Sequence, residues 1–127
     1  MVTQEKMGLN PDCPSGFGGT TTGTGKSTQM GKILFAASDC ITPVDNHYAF
    51  IGKLTITAAN GDKLSGDYSG SLVPTDTVPV YSFSNATFQI TGGTGQYSKA
   101  NGSVELQGSQ DIKTGKGKLE ADGTISY

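Results

Sequence analysis

His47 is the only histidine of the chain, and it lies in the run Asp45-Asn46-His47-Tyr48. An imidazole next to a carboxylate is the pairing a general base uses. No serine or cysteine nucleophile signature accompanies it, and one histidine does not make a triad. A solvated loop histidine is the simpler reading. If a polar site sits at one mouth of the fold, Asp45, His47 and Tyr48 are its candidate ligand-binding residues, with Asp39 on the same rim. No catalytic residue is assigned. Gly23-Thr24-Gly25-Lys26-Ser27 invites a phosphate-loop reading, but the motif needs a glycine where Thr20 stands, and Gly19 is one residue too far. The flanks carry no buried strand before it and no helix after it, so a Thr/Gly-rich strand is the better account. Asp62, Asp67, Asp76, Asp111 and Asp122 fall in or near turns and lack calcium-loop spacing. Metal and cofactor sites are therefore not expected. Asn85-Ala86-Thr87 and Asn101-Gly102-Ser103 match the glycosylation acceptor pattern, a triplet that also arises by chance.

Cys13 and Cys40 are the two cysteines, and they bracket the first expected hairpin near its open end. A disulfide between them would close a loop of about 28 residues. Two separate buried thiols are the alternative. The spacing matches no C-x-x-C redox or zinc pattern.

The composition that must position these groups is 19 Gly, no Trp and 34% hydrophobic residues, with abundant Thr and Ser. Gly and Thr both weaken helix interiors, so short strands and frequent turns are favoured. Net charge is -2 and every basic residue is a scattered lysine, which argues against nucleic-acid binding. No apolar run approaches the ~20 residues of a membrane-spanning helix. The opening MVTQEKMGLNPD lacks the apolar segment of a signal peptide. Together with a disulfide, this gives the expectation of a secreted or periplasmic protein whose signal peptide is absent from this chain.

Along the chain, residues 1–16 are polar and proline-containing and read as an arm or loop, with one β domain over residues 17–127. Strands are expected at 17–28 and 32–37, followed by a loop over Ser38–Asn46. A long alternating strand runs from Tyr48 to Ala58, turns at Asn60-Gly61 in a type I′ hairpin, and returns through Leu64, Gly66, Tyr68, Gly70 and Leu72. Between Val80 and Ile90 the apolar positions change parity, which calls for a bulge near Ser84-Asn85. Phe88–Gly102 runs from a strand into the glycine cluster Gly92-Gly93-Thr94-Gly95 and out into another strand, a sharp corner. The last strand alternates Leu119, Ala121, Gly123 and Ile125 and is placed to close against the first. The sum is all-β, with seven or eight strands joined as neighbours.

The segment TAANGDKLSGDYSG…YSFSNATFQITGGTGQYSKANGSVELQG, from Thr57 to Gly108, and the terminal GTISY resemble the allene-oxide-cyclase-like and dirigent-like barrel superfamily. The likeness is strongest to its small bacterial secreted members. GGTG-x-Y followed by A-x-G is the most specific part. The resemblance implies a single eight-stranded antiparallel, up-and-down closed barrel, trimeric in plant members, whose apolar lumen guides cyclisation or coupling of an unstable intermediate. The cyclases use an acidic residue on an early strand, and Phe17–Ala37 contains none. Dirigent proteins use an arginine, and this chain has none.

Two functions follow as expectations. One is a barrel that binds a small apolar molecule, with the inward glycines Gly66, Gly70, Gly108 and Gly123 leaving room. If it is an enzyme, it is of cyclase or isomerase type. The other is a non-catalytic extracellular structural or adhesive module with a packed lumen.

Overall fold

Alternating strands of this length bury one face each, and here they do so by curling into a closed barrel of eight antiparallel strands in sequential order. The computed structural model describes residues 1–127. Its strands are β1 (Val2–Leu9), β2 (Phe17–Ser27), β3 (Gly31–Val44), β4 (His47–Thr57), β5 (Lys63–Pro74), β6 (Val80–Gly93), β7 (Asn101–Asp111) and β8 (Lys116–Ser126), with one 3₁₀ turn at Gly95–Tyr97. Inward residues of neighbouring strands form a single core that includes Ile33, Phe35, Leu54, Leu64, Phe88 and Leu106.

Two stretches expected as loop are strand. Val2–Leu9, placed in an N-terminal arm, is β1 and pairs with β2 along its whole length, from Val2 opposite Thr24 to Leu9 opposite Phe17. Its buried inward positions are the polar Thr3 and Glu5, with only the half-buried Met7 apolar at the same parity, so little apolar alternation announces it. Only residues 10–16 remain as connection. Ser38–Val44, also expected as loop, continues β3, with Asp39 and Ile41 buried. There the inward carboxylate breaks the apolar pattern.

The Asn60-Gly61 turn does form a hairpin, but of a different type. Gly61 has φ 91 while Asn60 is not left-handed. The Gly61 N–H donates to Ala58 O at 3.0 Å, and the Ala58 N–H donates to Asp62 O at 2.8 Å. That is a type I turn closed by a glycine bulge rather than a type I′ turn. The bulge expected near Ser84-Asn85 is present: Ser69 faces Thr87, Ser71 faces Ser84, and Asn85 takes φ 50. The Gly92–Gly95 corner also forms. It buries Tyr97, whose ring meets Tyr127 edge-on at 5.1 Å.

Closure is short. β1 and β8 share the pairs Val2–Lys118, Thr3–Gly117 and Gln4–Lys116. The Met1 ammonium donates to Leu119 O at 2.7 Å, and Leu119 N–H donates to Met1 O at 2.9 Å. Beyond Leu119, β8 is paired with β7 alone.

Cys13 and Cys40 form a disulfide with Cα atoms 5.4 Å apart and a sequence separation of 27. It pins the 10–16 connection to β3. The Cys13→Ser/Cys40→Ser double variant is expected to lose roughly 2–4 kcal/mol, because the cross-link removes loop-closure entropy from the unfolded chain. Urea unfolding measures this, and a loss below about 0.5 kcal/mol would show the bridge to be thermodynamically idle.

Candidate functional site: a carboxyl pair inside the barrel

The polar heart of the lumen follows from strand register. Asp39 on β3 lies between Gly19 on β2 and Gly52 on β4, and Gly52 in turn faces Tyr68 on β5. Gly52 contributes no side chain to this row, and a Cβ there would lie 2.7 Å from Asp39 Cβ. The phenol of Tyr68 therefore reaches across and donates to Asp39 Oδ2 at 2.6 Å. On the other flank, a Cβ at Gly19 would lie 2.9 Å from Glu5 Oε2 and 3.2 Å from Asp39 Oδ1. The two carboxyl groups thus meet over the bare backbone of Gly19.

Glu5 is held from both sides. Gln110 Nε2 donates to Oε1 at 2.5 Å and Thr21 Oγ1 donates to Oε2 at 3.2 Å. Asp39 Oδ1 is buried with no hydrogen-bond partner. The pair lines a chamber of about 40 Å³ whose other walls include Phe35, Phe50, Leu54, Phe83 and Leu106. That is space for two or three water molecules.

These surroundings disfavour charge. Burial pushes the Asp39 carboxyl up to about 6; the Tyr68 hydrogen bond and the backbone N–H of Gly19 oppose the rise, and the Glu5 charge adds to it. Burial also raises Glu5 above the ordinary carboxylate range, against the hydrogen bonds from Gln110 and Thr21. Burial and then the Asp39 charge hold the Tyr68 phenol above its ordinary value, so it stays a donor. No lysine lines the chamber. Chemically, the pair can hold or release a proton near neutral pH, or accept donors from a bound group.

A second space opens at the end of the barrel where both termini lie. It is a cleft of about 560 Å³ between the end of β2 and the half of β8 that β1 does not reach. Ile33, Ile56, Leu64, Phe88 and Ile90 form its apolar side, and Lys26, Gln29, Gln107, Glu120 and Asp122 its polar rim. Leu119 borders both cavities. The inward glycines contribute little to either. The Phe88 ring lies over Gly66 and the Phe50 ring over Gly70, and of the four only Gly123 lines the cleft.

Asp45, His47 and Tyr48 sit at the opposite end. Asp45 takes φ 53 in the two-residue turn between Val44 and His47, and neither its side chain nor that of His47 makes a hydrogen bond. Tyr48 packs against Tyr81 with ring centroids 5.6 Å apart. None of the three lines the carboxyl chamber. Asp39, expected on the same rim, lies six residues before Asp45, roughly 20 Å along the strand, and points into the lumen. The structure does not bring the rim residues and Asp39 together.

Glu5, Thr21, Tyr68 and Gln110 are the site residues that sequence reasoning passed over. One signal was available for Glu5: Thr3, Glu5 and Met7 share a parity, the period of a strand. No protein-family model matches this chain, and neither a curated protein nor a solved structure matches it.

Proposed function

We propose that this chain is a barrel that binds one small apolar molecule, without a recognisable catalytic set, and that the molecule occupies the cleft between β2 and β8. The observation that carries this reading is the cleft itself. Its volume of about 560 Å³ falls in the range of ordinary ligand pockets, and its inner wall is continuous with the apolar core. The resemblance to allene-oxide-cyclase-like and dirigent-like barrels attaches cyclisation or stereochemical guidance of the bound molecule to this reading. The same resemblance implies a trimer, which would cover exposed apolar residues of the outer face such as Val2 and Leu34, neighbours across Thr24. The disulfide supports a secreted or periplasmic setting, since such bonds persist in oxidising compartments.

A packed structural or adhesive module is the second reading. The carboxyl half of the lumen favours it, being packed down to a free space of about 40 Å³ with the Phe50 ring seated over Gly70. Native mass spectrometry after incubation with mixed lipids and polyketides separates the two. Ligand binding predicts an adduct of a few hundred daltons that is lost in Ala121→Trp, because Ala121 is exposed and lines the cleft, so an indole there occupies the space without disturbing the core. A bare mass for the unmodified chain would count against the ligand reading and favour the packed module instead.

A further inference from the structure

We propose that the chamber between Glu5 and Asp39 is a binding site for a primary ammonium group, and that small amines are ligands of this barrel. Asp39 is only 7% exposed, yet its Oδ1 has no partner and borders the chamber. Natural interiors leave few such atoms unsatisfied, and a buried carboxylate oxygen is among the most costly to leave so. The side-chain donors nearby are already engaged, Tyr68 at Asp39 Oδ2 and Thr21 and Gln110 at Glu5, which leaves the Asp39 carboxyl only the backbone N–H of Gly19. What the chamber lacks is a cationic donor, since two acidic side chains face it and no lysine does.

An ammonium group supplies three donors and no acceptor. Placed over Gly19, it would reach Asp39 Oδ1 and Glu5 Oε2 together, the two oxygens that flank that glycine. The rings of Phe35, Phe50, Phe83 and Tyr68 line the same chamber, and aromatic walls favour a cation and its alkyl stem over a hydrated metal ion. The volume of about 40 Å³ admits a methylammonium-sized head and excludes a quaternary one.

Only Glu5 from β1, Asp39 from β3 and Tyr68 from β5 present titratable groups to this space. The other strands present Thr21, Phe50, Leu54, Phe83, Leu106, Gln110 and Leu119. Binding should therefore strengthen as the two carboxyls ionise. The site lies apart from the β2–β8 cleft and stands independently of the apolar-ligand reading.

Thermal melts in methylammonium chloride, sodium chloride and potassium chloride at equal ionic strength test it. At pH 8, methylammonium at about ten times its dissociation constant should raise the melting temperature by roughly 4–6 °C over sodium chloride. At pH 5, where Asp39 is mostly protonated, its affinity should fall about tenfold. Asp39→Asn, which keeps an acceptor for Tyr68, should abolish the shift, and Ala121→Trp should retain it. Equal melting of the unmodified protein in methylammonium and sodium salts at pH 8 would overturn the proposal whether or not the Asn variant folds. An equal rise in potassium chloride would overturn the ammonium assignment in favour of a metal-cation site.

Discussion

Replacing Gly52 with valine is expected to destabilise the fold by about 4 kcal/mol and to separate Tyr68 from Asp39. Gly52 faces Asp39 on one side and Tyr68 on the other, in a row of inward positions that crosses three strands. A Cβ there would overlap the backbone oxygen of Ser38 and lie 2.6 Å from Asp39 Cα and 2.7 Å from Asp39 Cβ. Those atoms belong to the β3 ladder and cannot withdraw as the end of a flexible side chain could. Overpacking of this kind costs roughly 1–3 kcal/mol. The branched side chain would also stand in the path of the phenol, leaving a buried donor and a buried carboxylate oxygen unpaired at roughly 1–3 kcal/mol more. Urea unfolding of the variant against the unmodified chain measures the sum. A loss under about 1 kcal/mol would mean that the close approach at Gly52 is not what lets Tyr68 reach Asp39.

That row of residues also explains what could be seen in advance. Where inward positions are apolar, strand and register were legible: Leu54 and Ile56 on β4, Leu64 and Tyr68 on β5, and the parity change that places a bulge at Asn85. Closure of eight strands in sequential order follows from short connections between such neighbours. The candidate site was not legible because it consists of interruptions in that pattern. Thr3 and Glu5 turn β1 into what looks like a polar arm, and Asp39 makes the second half of β3 look like a loop. Their juxtaposition depends on Gly19 and Gly52 standing beside Asp39, which is a property of register across β2, β3 and β4. Gln110 is 105 residues from the Glu5 it holds, a pairing visible only once β8 has closed on β1. Conversely Asp45, His47 and Tyr48 drew attention because they are adjacent in sequence. The strand length between them and Asp39 keeps them out of the lumen.

The carboxyl pair should also make stability fall as pH rises through the mildly acidic range. Asp39 titrates near 6 in the folded chain and near 3.8 when unfolded. Below about 3.8 both states hold the proton and the fold keeps its full stability. Between the two values the unfolded chain loses the proton more readily, so each step up in pH favours unfolding. Above 6 the difference is complete, at about 3 kcal/mol for Asp39 alone. Glu5 is raised by burial as well and acts in the same direction. Asp39→Asn should therefore be the more stable protein at pH 7.5 and should show a much flatter profile from pH 4 to 7, with the residual slope belonging to Glu5. Urea titrations of both proteins at pH 4, 5, 6 and 7 give the comparison, and parallel profiles would show that Asp39 is not the group responsible. The sign bears on function. A module selected only to pack would be better served by an apolar side chain at position 39, since the carboxylate weakens the fold at neutral pH. A cation seated between Asp39 and Glu5 would lower both carboxyls and recover the lost stability. The pH at which the fold is weakest without a ligand is thus the pH at which an ammonium ligand has most to contribute.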